Sequence, residues 1–200
     1  MAEKINKKWV LNKRPKGMPE DDCWKLEEVP VPEIEEGNIL IKTLYLSIDP
    51  YMRGRMNDAK SYADPIKIGE VMTGESVGIV VESKSDNYSV GDYVCVHRGW
   101  QSYIVAPGND RQLFKADPKI VPLSTYLGTV GMPGRTAYFG LLRVGKPKSG
   151  ETVVVSAASG AVGTVVGQMA KILGCRAVGV AGGETKCSYV TVELGFAACV

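Results

Sequence analysis

The chain has 200 residues, an apolar fraction of 44% and a formal net charge of +2. That length suits one large domain or about one and a half of ordinary size, and the balanced charge gives no reason to expect nucleic acid or an anionic membrane as partner. No apolar run reaches membrane-spanning length, and the start, Met1 to Lys8, lacks the apolar core of a signal peptide, so a soluble cytoplasmic protein is expected. The 5 cysteines are odd in number and form no CxxC pair. Free buried thiols are expected, and the equal spacing of Cys175, Cys187 and Cys199 is read as accidental.

In chain order, Lys8 to Leu11 and Trp24 to Val29 read as strands separated by the turn-rich Pro15–Pro19. Asn38 to Ser47 is a long apolar strand running into Ile48-Asp49-Pro50-Tyr51-Met52-Arg53-Gly54-Arg55-Met56. Further strand signals lie at Glu75 to Ser83, Tyr93 to Val96 and Gln101 to Val105, separated by turns such as Val90-Gly91-Asp92. Many short strands at close spacing indicate a partly open antiparallel barrel, forming a first domain over residues 1–125. Leu127 to Gly134 is a glycine-rich link, Thr136 to Val144 a predicted helix, and Pro147–Gly150 a turn. A second domain runs over 126–200.

That second domain holds the stretch with the most chemistry. Thr152 to Ser156 is an apolar strand; Ala157-Ala158-Ser159-Gly160-Ala161-Val162-Gly163 is a small-residue turn; a helical run continues to Gly174; and Arg176 to Val180 is a second strand. Strand, turn, helix, strand is a dinucleotide-binding βαβ unit, with Ala158, Gly160 and Gly163 at the G-x-G-x-x-G positions. Gly160 lets the backbone approach a pyrophosphate, and the helix start at Ala161, Val162 and Gly163 offers unpaired N–H groups to it. Gly163, Gly167 and Ala170 form a small-residue face expected to lie close on the sheet, and Gly174 is placed as the C-terminal cap.

The end of the second strand bears on which dinucleotide. A cofactor without a 2′-phosphate meets an Asp or Glu about 20 residues past the glycines. Here Ala181-Gly182-Gly183 leave room for a phosphate, and Lys186 supplies charge in the first turn of a helix predicted over Glu184 to Leu194, where the helix dipole alone disfavours a cation. NADP(H) is expected over NAD(H). A doubly wound domain needs about six strands, and only two are present, with a third starting at Ala197 to Val200. The chain is therefore expected to be part of a longer natural chain or a shortened variant, and the 200 residues alone are expected to turn over substrate poorly or not at all.

Barrel followed by dinucleotide unit resembles the medium-chain dehydrogenase/reductase superfamily. The stretches Leu46–Met56, Leu127–Gly134 with Thr136–Leu141, and Ala157–Gly163 resemble its zinc-independent double-bond reductases, the prostaglandin, alkenal and curcumin reductases. The resemblance implies α/β plus β architecture: a GroES-like antiparallel barrel, then an incomplete Rossmann domain. No metal is expected. Where zinc members carry Cys-His, this chain has Asp49-Pro50; where they carry Gly-His-Glu it has Thr73-Gly74-Glu75. A catalytic zinc needs three protein ligands, and His97, the single histidine, has no ligand-spaced partner and reads as structural or surface.

The resemblance further implies hydride transfer from NADPH to the β-carbon of an α,β-unsaturated ketone or aldehyde, in a protein that positions the enone and stabilises its oxyanion. Tyr51 is the candidate O–H donor. Arg53 is a candidate for orienting a polar or carboxylate end of the substrate, or else pairs with Asp49. Gly160, Ala161, Val162 and Gly163 would hold the pyrophosphate, Lys186 the 2′-phosphate, and Met132, Gly134 and Thr136 would lie on the nicotinamide side. A homodimer is what the resemblance suggests. Two alternatives stand beside it: a quinone reductase of the same superfamily, and a non-enzymatic shortened homologue that binds a nucleotide or a partner.

Overall fold

The computed structural model describes residues 5–200; the signal-peptide expectation rests in part on Met1 to Lys4, which lie outside the described residues. The chain divides into two compact units, Met1–Ser124 and Thr125–Val200.

In the first unit, β1 (Ile5–Leu11) and β2 (Trp24–Pro30) pair as an antiparallel hairpin, with Ile5 opposite Pro30 and Leu11 opposite Trp24. Five further strands, β3 (Asn38–Leu46), β4 (Glu75–Ser83), β5 (Tyr93–His97), β6 (Tyr103–Pro107) and β7 (Phe114–Lys115), form an antiparallel sheet in the order β6-β3-β4-β5-β7. Isolated bridges, Lys8 to Gln101 and Val10 to Val71, tie β1 to the segments that lead into β6 and β4, and the whole is a partly open GroES-like barrel. The expected strand at Gln101 starts two residues later, and β7 has too few residues to show a period in sequence.

Ile39, Leu40 and Ile41 are buried in succession. A strand with one solvated face cannot do this, so β3 is covered on both faces and is the spine of the barrel. Ile39 and Ile41 share a core with Val80, Val94, Val96 and Ile104. A second cluster gathers Leu11, Cys23, Met52, Met56, Ile66 and Met72, with Trp24, Tyr51 and Trp100 packed against it. It anchors a short helix, α1 (Tyr51–Arg55), in the stretch that sequence shows only as the end of a strand. Pro50, with φ −56°, already holds a helical backbone angle and starts that turn.

In the second unit, α2 (Met132–Tyr138) begins four residues before the predicted helix, because Pro133 is tolerated in a first turn. It passes into a π-helical turn, Phe139–Gly145, closed by the Lys146 N–H on the Leu141 carbonyl at 2.7 Å. Then come β8 (Thr152–Ser156), α3 (Ala161–Ile172), β9 (Arg176–Val180), α4 (Glu184–Ser188) and β10 (Ala198–Cys199), with the strands parallel in the order β10-β9-β8. This is half of a Rossmann sheet. Val155 and Ala177 enter a core with Ala170 of α3, Val190 and Phe196. Val154, pointing the other way, is 66% exposed.

The helix expected over Glu184 to Leu194 is α4 followed by a π turn, Tyr189–Glu193. The β-branched run explains the change: Thr191 donates its hydroxyl to the Cys187 carbonyl at 2.9 Å, competing with the backbone ladder, and the Leu194 N–H bonds Tyr189 instead. The small-residue face of α3 also differs in detail from expectation. A side chain at Gly167 would meet not the sheet but the ring of Phe196, at 1.8 Å. Gly174, with φ +74°, stands just past the C-cap of α3 as expected.

All five cysteines are free, Cys23, Cys95 and Cys175 buried, and Cys187 and Cys199 half-buried. The Cys187 thiol donates to the Ala181 carbonyl at 3.6 Å, and burial, followed by the neighbouring Cys187, pushes the Cys199 thiol up.

Candidate functional site

The first unit presents a tyrosine site. α1 brings Tyr51, half-buried, to the ends of β4 and β5. Its phenol oxygen lies 3.1 Å from His97 Nε2, and Thr73 Oγ1 lies 3.4 Å from the same nitrogen. His97 ends β5, directly across from Glu75 at the start of β4. Burial, and then the Asp49 carboxylate, push the Tyr51 phenol above its ordinary value, against an opposing hydrogen bond from Thr73. Tyr51 is therefore a proton-bearing donor throughout the neutral range.

Arg53 is turned to other work. Its Nε donates to Gly17 O at 2.8 Å, one terminal nitrogen to Asn57 Oδ1 at 2.7 Å, and the other to Pro15 O at 3.3 Å. It thus clamps the Pro15–Gly17 loop to α1. The pairing with Asp49 considered from sequence is replaced: Asp49 accepts from the Ser47 hydroxyl. Residues two apart on a helix do not share a face, and Tyr51 and Arg53 are not brought together.

Gly74, where zinc-dependent relatives carry histidine, has a packing reason. A Cβ there would sit 2.9 Å from two atoms of the Trp100 indole and 3.2 Å from the Met52 methyl. Trp100 in turn stacks on Trp24 with centroids 5.3 Å apart. Among the described residues no three His, Cys, Asp or Glu side chains come together in a group able to hold a metal ion.

The second unit presents a candidate nucleotide site. Gly160 caps α3 in an extended conformation, φ −84° and ψ 169°, and no side chain caps that helix start. Ala161 and Val162 follow in its first turn. Gly163 is buried, and a Cβ on it would lie 2.3 Å from the Ala157 carbonyl and 2.8 Å from Ala158 Cα; only glycine lets α3 leave the turn this closely. Ala158, fully buried, sets the underside of the turn. Ala157 takes φ +48°, unusual for a residue with a side chain.

Lys186 is exposed in α4, just past Gly182 and Gly183, which leave the end of β9 open. Met132, Gly134 and Thr136 all lie on α2, which packs beside α3. Gly134 is buried against the Thr129 carbonyl. The Thr136 hydroxyl donates within its own helix to Met132 O at 2.8 Å. Backbone N–H groups at the α3 start and a lysine beyond β9 suit a phosphorylated dinucleotide.

Sequence reasoning did not find His97 and Thr73 as neighbours of Tyr51. The available signal was the β4–β5 pairing itself, which puts Glu75 opposite His97; it needs the register, which no single segment contains. No helix among the described residues is long and apolar enough to cross a membrane.

The family described as the N-terminal domain of oxidoreductase matches residues 7–115. The NADPH-dependent curcumin reductase of Escherichia coli (strain K12) is 51% identical over 98% of this chain and 56% of its own length. Prostaglandin reductase 1 of Oryctolagus cuniculus is 47% identical over 95% of this chain and 52% of its own. The crystal structure of CurA in complex with NADPH from Vibrio vulnificus superposes with a TM-score of 0.91 at 45% identity, covering 97% of this chain and 57% of that one. The chain spans about half the length of the curated relatives it matches. With that N-terminal-domain family matching more than half of the chain, the chain belongs to the oxidoreductases that it defines, in the zinc-independent branch of the medium-chain dehydrogenases/reductases.

Proposed function

We propose that this chain serves an NADPH-dependent reductase that saturates the carbon–carbon double bond of α,β-unsaturated ketones or aldehydes. The observation that carries this is the 51% identity across 98% of the chain with a reductase named as NADPH-dependent.

NADPH, when bound, supplies the hydride that adds to the β-carbon. The chain's own residues then do the following. The N–H groups at Gly160, Ala161, Val162 and Gly163 hold the pyrophosphate at the positive end of α3. Lys186 meets the 2′-phosphate, which also relieves the conflict between its charge and the start of α4. Met132, Gly134 and Thr136 are assigned to the nicotinamide side. Tyr51 donates its O–H to the carbonyl oxygen of the enone, where negative charge grows as hydride arrives. The enolate then takes a proton from solvent at the α-carbon. A cytoplasmic location, as suits five free thiols, and a homodimer complete the proposal.

The test is an assay of NADPH oxidation by the full-length protein, with a 2-alkenal, an aryl enone and a quinone offered in turn. Enone turnover of about 1 per second or more, faster than quinone turnover, is expected. A quinone preferred over every enone would overturn the proposal, as would absence of any turnover.

A further inference from the structure

The Tyr51 oxygen and the His97 ring meet at the ends of two strands and one helix turn, and this contact assigns a role to the histidine. A phenol has one proton to give. Donated to His97 Nε2, at 3.1 Å, that proton is consumed inside the protein and none is offered outward. Held the other way, with the proton on Nε2, the imidazole donates to the phenol oxygen and the phenol's proton is left for an external acceptor. Thr73 favours the second arrangement. Its Oγ1 lies 3.4 Å from Nε2, so a proton carried on Nε2 has two hydroxyl oxygens, those of Tyr51 and Thr73, as acceptors.

We propose that His97 is a positioning residue for the reduction: its Nε2–H donates to the Tyr51 oxygen and thereby directs the Tyr51 proton to the carbonyl of the bound enone. This rests on the assignment of Tyr51 as that donor. His97 and Thr73 also line a cavity of about 350 Å³ in this unit. The charged groups facing the imidazole are Glu75 across the strand pair and Arg55, Asp64, Lys67, Glu70 and Arg98 around the cavity. Three are basic and three acidic, so the hydroxyl partners rather than a net charge select the tautomer. No chemical step passes through His97; it orients the O–H with which Tyr51 hydrogen-bonds to the carbonyl oxygen.

The test uses the full-length protein and a double-mutant cycle. His97→Phe removes the donor and keeps a ring; His97→Gln keeps an N–H near the Nε2 position. His97→Phe is expected to lower kcat about tenfold, the value of one lost hydrogen bond of about 1.4 kcal/mol, with the KM for NADPH unchanged. His97→Gln is expected to recover most of that loss. In a Tyr51→Phe background, His97→Phe is expected to cost less than about twofold, because its effect runs through the phenol. Thermal melts of each variant verify folding. Multiplying losses in the double variant, a His97→Phe enzyme equal to wild type, or a His97→Gln enzyme as impaired as His97→Phe would overturn the proposal. Absence of enone turnover by wild type would sink the reductase proposal instead, and the imidazole nitrogen shifts by NMR then decide this one. A protonated Nε2 whose shift moves in Tyr51→Phe supports it; a bare Nε2 with the proton on Nδ1 overturns it.

Discussion

In Thr125–Val200 the groups suited to a nucleotide come from one unbroken run, Ala157 to Lys186, on a strand, a helix and a strand that follow each other in sequence. In Met1–Ser124 the tyrosine site is collected from afar: Tyr51 and His97 are 46 residues apart and Thr73 and His97 are 24 apart. The first kind of site is set by local backbone, a turn too tight for a side chain at Gly163. The second exists only once β4 and β5 have paired and α1 has docked on Met52 and Met56. Local sites tolerate change at a distance and fail to single changes in the turn; collected sites have several points at which small losses enter.

That contrast can be broken at either end. The largest expected effect is Gly163→Val. Its Cβ would overlap the Ala157 carbonyl at 2.3 Å, so the second unit should lose about 3 kcal/mol and NADPH affinity should fall by about 100-fold or more, read by melting and by fluorescence titration. Wild-type affinity in this variant would mean that the turn is not the pyrophosphate site. Next is Tyr51→Phe in the full-length protein, where kcat should fall about 10- to 100-fold while NADPH affinity holds, since the change lies in the other unit. A loss of NADPH affinity instead would erase the division of labour between the units.

Lys186→Ala should weaken NADPH binding by about 10- to 100-fold, the worth of a charge-assisted contact, and leave NADH binding nearly unchanged; equal losses for both would remove Lys186 from the 2′-phosphate. The smallest effect expected is on acid stability. The Asp110 carboxyl is held below its ordinary value of 3.8, first by the Gln112 backbone N–H and then by Arg98. A depressed carboxylate contributes stability above the unfolded value and loses it as pH falls through the folded value. Asp110→Asn should therefore melt a few degrees below wild type near neutral pH, with the gap closing below pH 3.8. A gap that persists in acid would show that the cost is packing rather than charge.

How much was legible follows the same line. β8 and β9 were readable to the residue, because short apolar runs bounded by glycine-containing turns have few alternatives. The start of α2 was not, since Pro133 looks like a helix breaker until its first-turn position is known. Arg53 was readable as a charged residue near Tyr51 but not as a clamp on the Pro15–Gly17 carbonyls, because backbone acceptors from a distant loop carry no sequence signal. Cys187 and Cys199 looked unrelated until β10 was laid beside β9.

The residues alone determined the strand-turn-helix-strand unit and the antiparallel barrel class. Each of these depends on residue types at short spacings, where backbone geometry leaves little choice. Tertiary structure decided what His97 touches, why position 74 is glycine, and where the guanidinium of Arg53 goes. Those outcomes depend on which surfaces meet, and the free energy that selects them comes from burying Leu11, Met52, Met56 and Met72 against Trp24 and Trp100, a set that no window of sequence contains.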